Sequence, residues 1–95
     1  MSASRAYDRQ MAIAVASPTP NPDAMKFTLD VRLPASINFG SAQAAADHPF
    51  ACEVFALGGV AAVFGVNDFV TITRVAGAAW EPIVTGVQAA AAKHL

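Results

Sequence analysis

The side chains best able to hold a metal or attack a carbonyl are scarce in this 95-residue chain, which has one cysteine, Cys52, and two histidines, His48 and His94. One thiol cannot close an internal disulfide, and alone it cannot supply the several thiolates that a zinc site or an iron-sulfur cluster requires. Two routes to chemistry are left. A symmetric pair of chains could each lend Cys52 to a metal or a bridged cluster, giving a dimeric carrier. Alternatively, His48 and Cys52 stand at i and i+4, a spacing that suits a base and a nucleophile on one helix face, but no third group is placed to orient the base. The Ser, Asp and Glu residues show no dyad spacing or nucleophile motif. Gly58-Gly59 ends a helix, whereas phosphate-binding loops need glycines that open one. No catalytic residue, no cofactor and no metal site is therefore expected, with Cys52 the outside candidate for a metal, and the chain reads as non-enzymatic.

Recognition chemistry is better supplied. Thr19-Pro20-Asn21-Pro22 is a stiff segment in which proline limits the entropy lost on binding, while Asn21 carries both donors and an acceptor. The plainer reading is a rigid crossover whose Asn21 side chain bonds local backbone. Lys26, on the wet side of a strand beside this loop, is either a cation for a partner's acidic patch or a solubilising residue. Asp68 and the aromatics Phe64 and Phe69 flank a hairpin turn. An aromatic there is core if buried and an interface anchor if exposed. These eight residues, Thr19 to Pro22 with Lys26, Phe64, Asp68 and Phe69, are the candidate partner-binding set.

The elements that must position them follow from periodicity. From Met11 to Ala16 the larger residues Met11, Ile13 and Val15 alternate with alanine, which predicts a short strand with one buried face. Three prolines between Ser17 and Asp23 then exclude both helix and central strand. Phe27, Leu29, Val31 and Leu33 alternate with Lys26, Thr28, Asp30 and Arg32, the clearest strand in the chain, closed by Pro34. Ile37-Asn38-Phe39 suits a brief edge strand. A helix is predicted from Asp47-His48-Pro49, with proline in the first turn and Asp47 or His48 as cap. Its apolar stripe is Phe50, Val54 and Leu57, and Gly58-Gly59 ends it. Val60 to Arg74 reads as a hairpin turning at Gly65-Val66-Asn67-Asp68. A last helix opens near Trp80-Glu81-Pro82 and buries Trp80, Ile83, Val84, Val87 and Ala91, with Gly86 weakening it by roughly 1 kcal/mol relative to alanine. The order ββαββα predicts a single α+β domain, its antiparallel-rich sheet covered on one face by both helices.

Composition narrows the partners. With 55% apolar and 14% charged residues the chain is globular, and its length suits one core. Six Lys+Arg against seven Asp+Glu leave no basic run for nucleic acid or an anionic membrane. The apolar run Met11 to Ala16 is too short for a secretion signal, and Phe50 to Val66 is interrupted by Glu53 and Gly58-Gly59, so no membrane span is expected. Residues 1–10 read as a flexible leader and 11–95 as the domain, a monomer or weak homodimer in a reducing cytoplasm.

Thr19-Pro20-Asn21-Pro22, Lys26-Phe27, His48-Pro49-Phe50-Ala51, Leu57 to Val60, Val63-Phe64-Gly65, Asp68-Phe69-Val70-Thr71-Ile72-Thr73 and Trp80 occur in an order that resembles the N-terminal domain of Nfu/NifU-type iron-sulfur scaffold proteins. The resemblance runs from about Ile13 to the C-terminus. It implies a small α+β fold associated with iron-sulfur cluster assembly or delivery, and partners among assembly or client proteins. Family members usually carry a second domain downstream with a Cys-x-x-Cys pair. This sequence reaches Leu95 without one, so it reads as a stand-alone form with an adaptor or recognition role.

Overall fold

Five strands and two helices make up the computed structural model, which describes residues 12–95. In chain order they are β1 (Ala14–Pro18), β2 (Ala24–Leu29), β3 (Ile37–Phe39), α1 (Pro49–Ala56), β4 (Val60–Val66), β5 (Phe69–Arg74) and α2 (Trp80–His94). The strands lie in the order β1-β2-β5-β4-β3 and every pairing is antiparallel. The α+β architecture matches the expectation from periodicity, with β3 present as the short edge strand. The expectation for residues 1–10, and Met11 of the first strand, lie outside the described residues.

One face of the sheet carries the core. Phe27 of β2, Val63 of β4 and Val70 and Ile72 of β5 are fully buried against Phe50 and Val54 of α1 and Ile83 and Val87 of α2. Alternation decides this assignment, because the intervening residues of β2 and β5 point to the opposite side. β2 stops at Leu29, earlier than the alternation through Leu33 suggests. Beyond it the chain leaves the ladder, although the Leu33 N–H still donates to Asn67 O at 2.7 Å and the Leu29 N–H to Asp68 O at 2.7 Å.

Local chemistry sets the element ends. His48 is the N-cap of α1, its Nδ1 accepting the Ala51 N–H at 3.2 Å, and Pro49 occupies the first turn where its missing donor is not needed. Gly58 and Gly59, both at φ 80°, terminate that helix in a conformation that costs a side chain dearly. The hairpin turn is tighter than expected. Gly65 and Val66 belong to β4, and only Asn67, at φ 56°, and Asp68 link the strands. α2 carries Glu81 in its first turn and Lys93 and His94 in its last, as its dipole favours.

Packing settles one burial question that the sequence left open and corrects two expectations. In β1 the alanines face inward and Ile13 and Val15 outward, because α2 lies against this edge strand, with Ala90 and Ala91 buried, and leaves room for methyl groups only. Leu57 is the C-cap of α1 and 40% exposed, its side chain occupying the notch left by Gly86 of α2, where a β-carbon would collide with the Leu57 side chain. Gly86 therefore serves helix packing. Trp80 is only half-buried, because its indole lies at the rim of the domain and fastens a loop.

Candidate protein-interaction face

Among the described residues, the sheet has one face that no helix covers. Register places Val15, Thr28, Phe69 and Val66 in one row across β1, β2, β5 and β4, and Ser17, Lys26, Thr71, Phe64 and Asn38 in the next, running on to β3. Ile13 projects to the same side. Ile13 is 61% exposed, Val15 60% and Phe64 41%, three of the five large apolar side chains that stand out to solvent among the described residues. Such residues are unremarkable singly, but here they share one face. Lys26 crosses the rows with its Nζ 4.7 Å from the centroid of Phe69, so a cation caps the half-exposed ring.

The proline loop lies elsewhere. It joins β1 to β2 at the end of the sheet where Ala24 pairs with Thr73, while Asp68 and Phe69 sit four residues along the strands, roughly 13 Å away at about 3.3 Å per residue. The loop is internally braced. Thr19 Oγ1 donates toward Asn21 O (2.9 Å) and Ala24 O (3.0 Å) and accepts the Asn21 N–H (3.1 Å), and Asn21 Oδ1 accepts the Asp23 N–H (2.9 Å). The local use of the Asn21 side chain is thus observed. The loop is also tied to the domain. Trp80 Nε1 donates to Pro22 O at 3.2 Å, Arg74 Nε pairs with Asp23 Oδ1 at 3.0 Å, Arg74 Nη1 donates to Ala78 O at 2.8 Å, and the Arg74 guanidinium lies 5.3 Å from the Trp80 ring. Pro20, Asn21 and Pro22 stay exposed on this rigid support.

The structure therefore divides the eight expected residues into two groups. Lys26, Phe64 and Phe69 meet on the open face, with Asp68 at its rim, whereas Thr19 to Pro22 form a separate, pre-ordered projection. Ile13 and Val15 join the open face, which the sequence could have revealed had its β1 alternation been read with alanine inward. Arg74 went unnoticed because its role depends on Asp23, 51 residues earlier.

Cys52 is exposed on α1. Among the described residues no group of three or more His, Cys, Asp or Glu side chains is arranged to hold a metal ion. Near it, His94 Nε2 lies 2.8 Å and Lys93 Nζ 3.4 Å from Glu53 Oε1, joining the end of α2 to α1. The hydrogen bond from His94 is the main cause holding the Glu53 carboxyl below its ordinary value, with desolvation opposing it and Lys93 assisting. No helix among the described residues is long and apolar enough to cross a membrane.

Comparison with known proteins agrees with this fold. The model of the scaffold protein Nfu/NifU N-terminal family matches residues 13–95, and the chain belongs to that family. A NifU-like protein of Schizosaccharomyces pombe is 33% identical over 81 residues, covering 81% of this chain and 31% of the relative. A Drosophila persimilis protein named as a mitochondrial NFU1 iron-sulfur cluster scaffold homolog is 41% identical over 68 residues, 68% of this chain and 24% of the relative. The chain thus spans about a third or less of these relatives. The crystal structure of protein SAV1430 from Staphylococcus aureus superposes with a TM-score of 0.71 at 26% identity, covering 82% of this chain and 96% of that one. A solution structure of a NifU-like protein from Saccharomyces cerevisiae, with a TM-score of 0.75 at 22% identity over 88% of this chain and 78% of that one, has the same fold.

Proposed function

We propose that this domain is a non-enzymatic interaction module in iron-sulfur cluster assembly or delivery, which docks an assembly factor or a client protein on its open sheet face. The observation that carries the reading is the gathering of Ile13, Val15 and Phe64, with the Lys26-capped Phe69, on a face that no helix among the described residues covers. Apolar anchors with a charged neighbour are what a recognition surface needs. Family membership supports the process, and the scaffold named among the relatives supports the absence of turnover. Asp68 and the braced loop Thr19 to Pro22 extend the contact at the two ends of the sheet.

The test is affinity capture from a related cell extract with the wild-type domain and with Val15→Glu and Phe64→Glu. Cluster-assembly or cluster-containing proteins should be enriched by the wild type and lost with both variants while circular dichroism is unchanged. Recovery of only unrelated proteins would overturn the reading.

The exposure of Cys52 favours one second reading, a carrier in which two chains each contribute that thiol. Anaerobic reconstitution with iron and sulfide should then yield a dimer whose chromophore disappears in Cys52→Ser. A single thiol suits a reducing compartment, and the cytoplasm is our assignment for this chain.

A further inference from the structure

A cavity of about 430 Å³ opens on the side of the domain away from the proline loop. The 31–35 segment and Ile37 form one wall, the start of α1 (His48, Pro49, Phe50) another, and the end of α2 (His94, Leu95) the third. Gly65 makes this arrangement possible. A β-carbon there would stand 2.7 Å from Leu33 Cδ1 and 3.0 Å from Ile37 Cγ1, so the bare glycine lets both side chains settle onto the sheet as cavity wall. The Leu33 N–H to Asn67 O bond holds the same segment in place, so the hollow is built into the fold.

Its polar side chains are few. Among the described residues Arg32 has no carboxylate within ion-pair distance, and its guanidinium bonds only the neutral Asn67 Oδ1, at 3.3 Å. His48 spends Nδ1 as acceptor for the Ala51 N–H, so its neutral ring carries the proton on Nε2, a donor without a protein acceptor among the described residues. His94 is committed through Nε2 to Glu53. No acidic side chain lines the cavity, and the α-carboxylate of Leu95 belongs to the third wall, apart from the walls that carry Arg32 and His48. Between the 31–35 segment and the start of α1 the hollow thus offers an apolar body with one cation and one N–H donor, complementary to a ligand of the opposite make-up.

We infer that this cavity is a binding site for a small amphipathic carboxylate, its hydrocarbon part against Leu33, Ile37 and Phe50 and its carboxylate toward Arg32 and His48. At roughly 30 Å³ for each water-sized unit of volume, the space suits a ligand of about ten non-hydrogen atoms with room for solvent. The inference is independent of the docking role of the sheet, since it uses none of the same side chains.

Amide chemical-shift titration of the whole chain with hexanoate tests it, with hexanol and hexylammonium as charge controls. Hexanoate should give saturable shifts confined to 31–37, 48–50 and 94–95. Hexanol and hexylammonium should bind at least about tenfold more weakly, as should hexanoate to Arg32→Gln, because a charge-assisted hydrogen bond is worth about that much. Ala35→Trp, at an exposed position on the rim, should block the site without disturbing the sheet. Shifts that fail to saturate, equal binding of hexanol, or undiminished binding by Arg32→Gln with its fold intact would each overturn the assignment.

Discussion

The two faces of the sheet are written by the same strands yet treated in opposite ways. On β5, Val70 and Ile72 are fully buried under the helices while Phe69, Thr71 and Thr73, which alternate with them, remain partly open. On β4, Val63 is buried and its neighbour Phe64 stands out. An aromatic residue is thus a core element or a surface element according to one step of strand register, and its size does not decide which. The covered face holds the buried core, and the open face contributes little buried apolar area to it.

That division can be broken most severely at Phe27, which is fully buried. Phe27→Ala should cost about 3 to 5 kcal/mol in chemical denaturation, by lost burial and the cavity left behind. Gly65→Ala comes next, since a methyl group there meets Leu33 and Ile37. Overpacking of this kind costs about 1 to 3 kcal/mol, and it should also weaken hexanoate binding by reshaping the cavity wall. Trp80→Phe keeps an aromatic ring but loses the bond to Pro22 O. The expected loss is about 1 kcal/mol, with faster proteolysis at 18–23 as the local readout.

Acid probes a weaker joint. Glu53 is held below its ordinary value in the folded state, so its contribution is fully present above the usual glutamate range and disappears as pH falls through and below that range. Glu53→Gln should flatten this acid limb of the stability profile, and an unchanged limb would show that the His94 contact contributes nothing. The smallest effect on stability is expected at Phe64. Phe64→Ala should change unfolding free energy by less than about 1 kcal/mol, because the ring is substantially exposed, yet it should reduce partner capture. A large loss of stability there would erase the proposed difference between the faces.

Much of this architecture was legible in residue spacing. The alternation of Lys26 to Leu29 and Phe69 to Arg74, the proline at the head of α1 and the paired glycines at its end each have a local physical cause, and each produced the expected element. The site was legible in part. Lys26, Phe64 and Phe69 were expected as candidates and do converge, but their separation from the proline loop depends on strand order. Alternation in β1 showed that one face is buried but not which, and the packing of α2 against this strand selects the alanines. Trp80 and Leu57 were assigned to the core by helical period, which cannot tell how far a stripe extends beyond its neighbouring helix.

Sequence by itself determined the kind and order of elements, the even charge, and the presence of one thiol, since these depend on backbone preference and composition alone. Tertiary structure decided which face each strand buries, that Gly86 and Gly65 make room for Leu57 and for Leu33 with Ile37, and that Arg32 and His48 meet at one cavity. The reason is that packing joins residues distant along the chain, and local periodicity carries no record of the partner that will close on it.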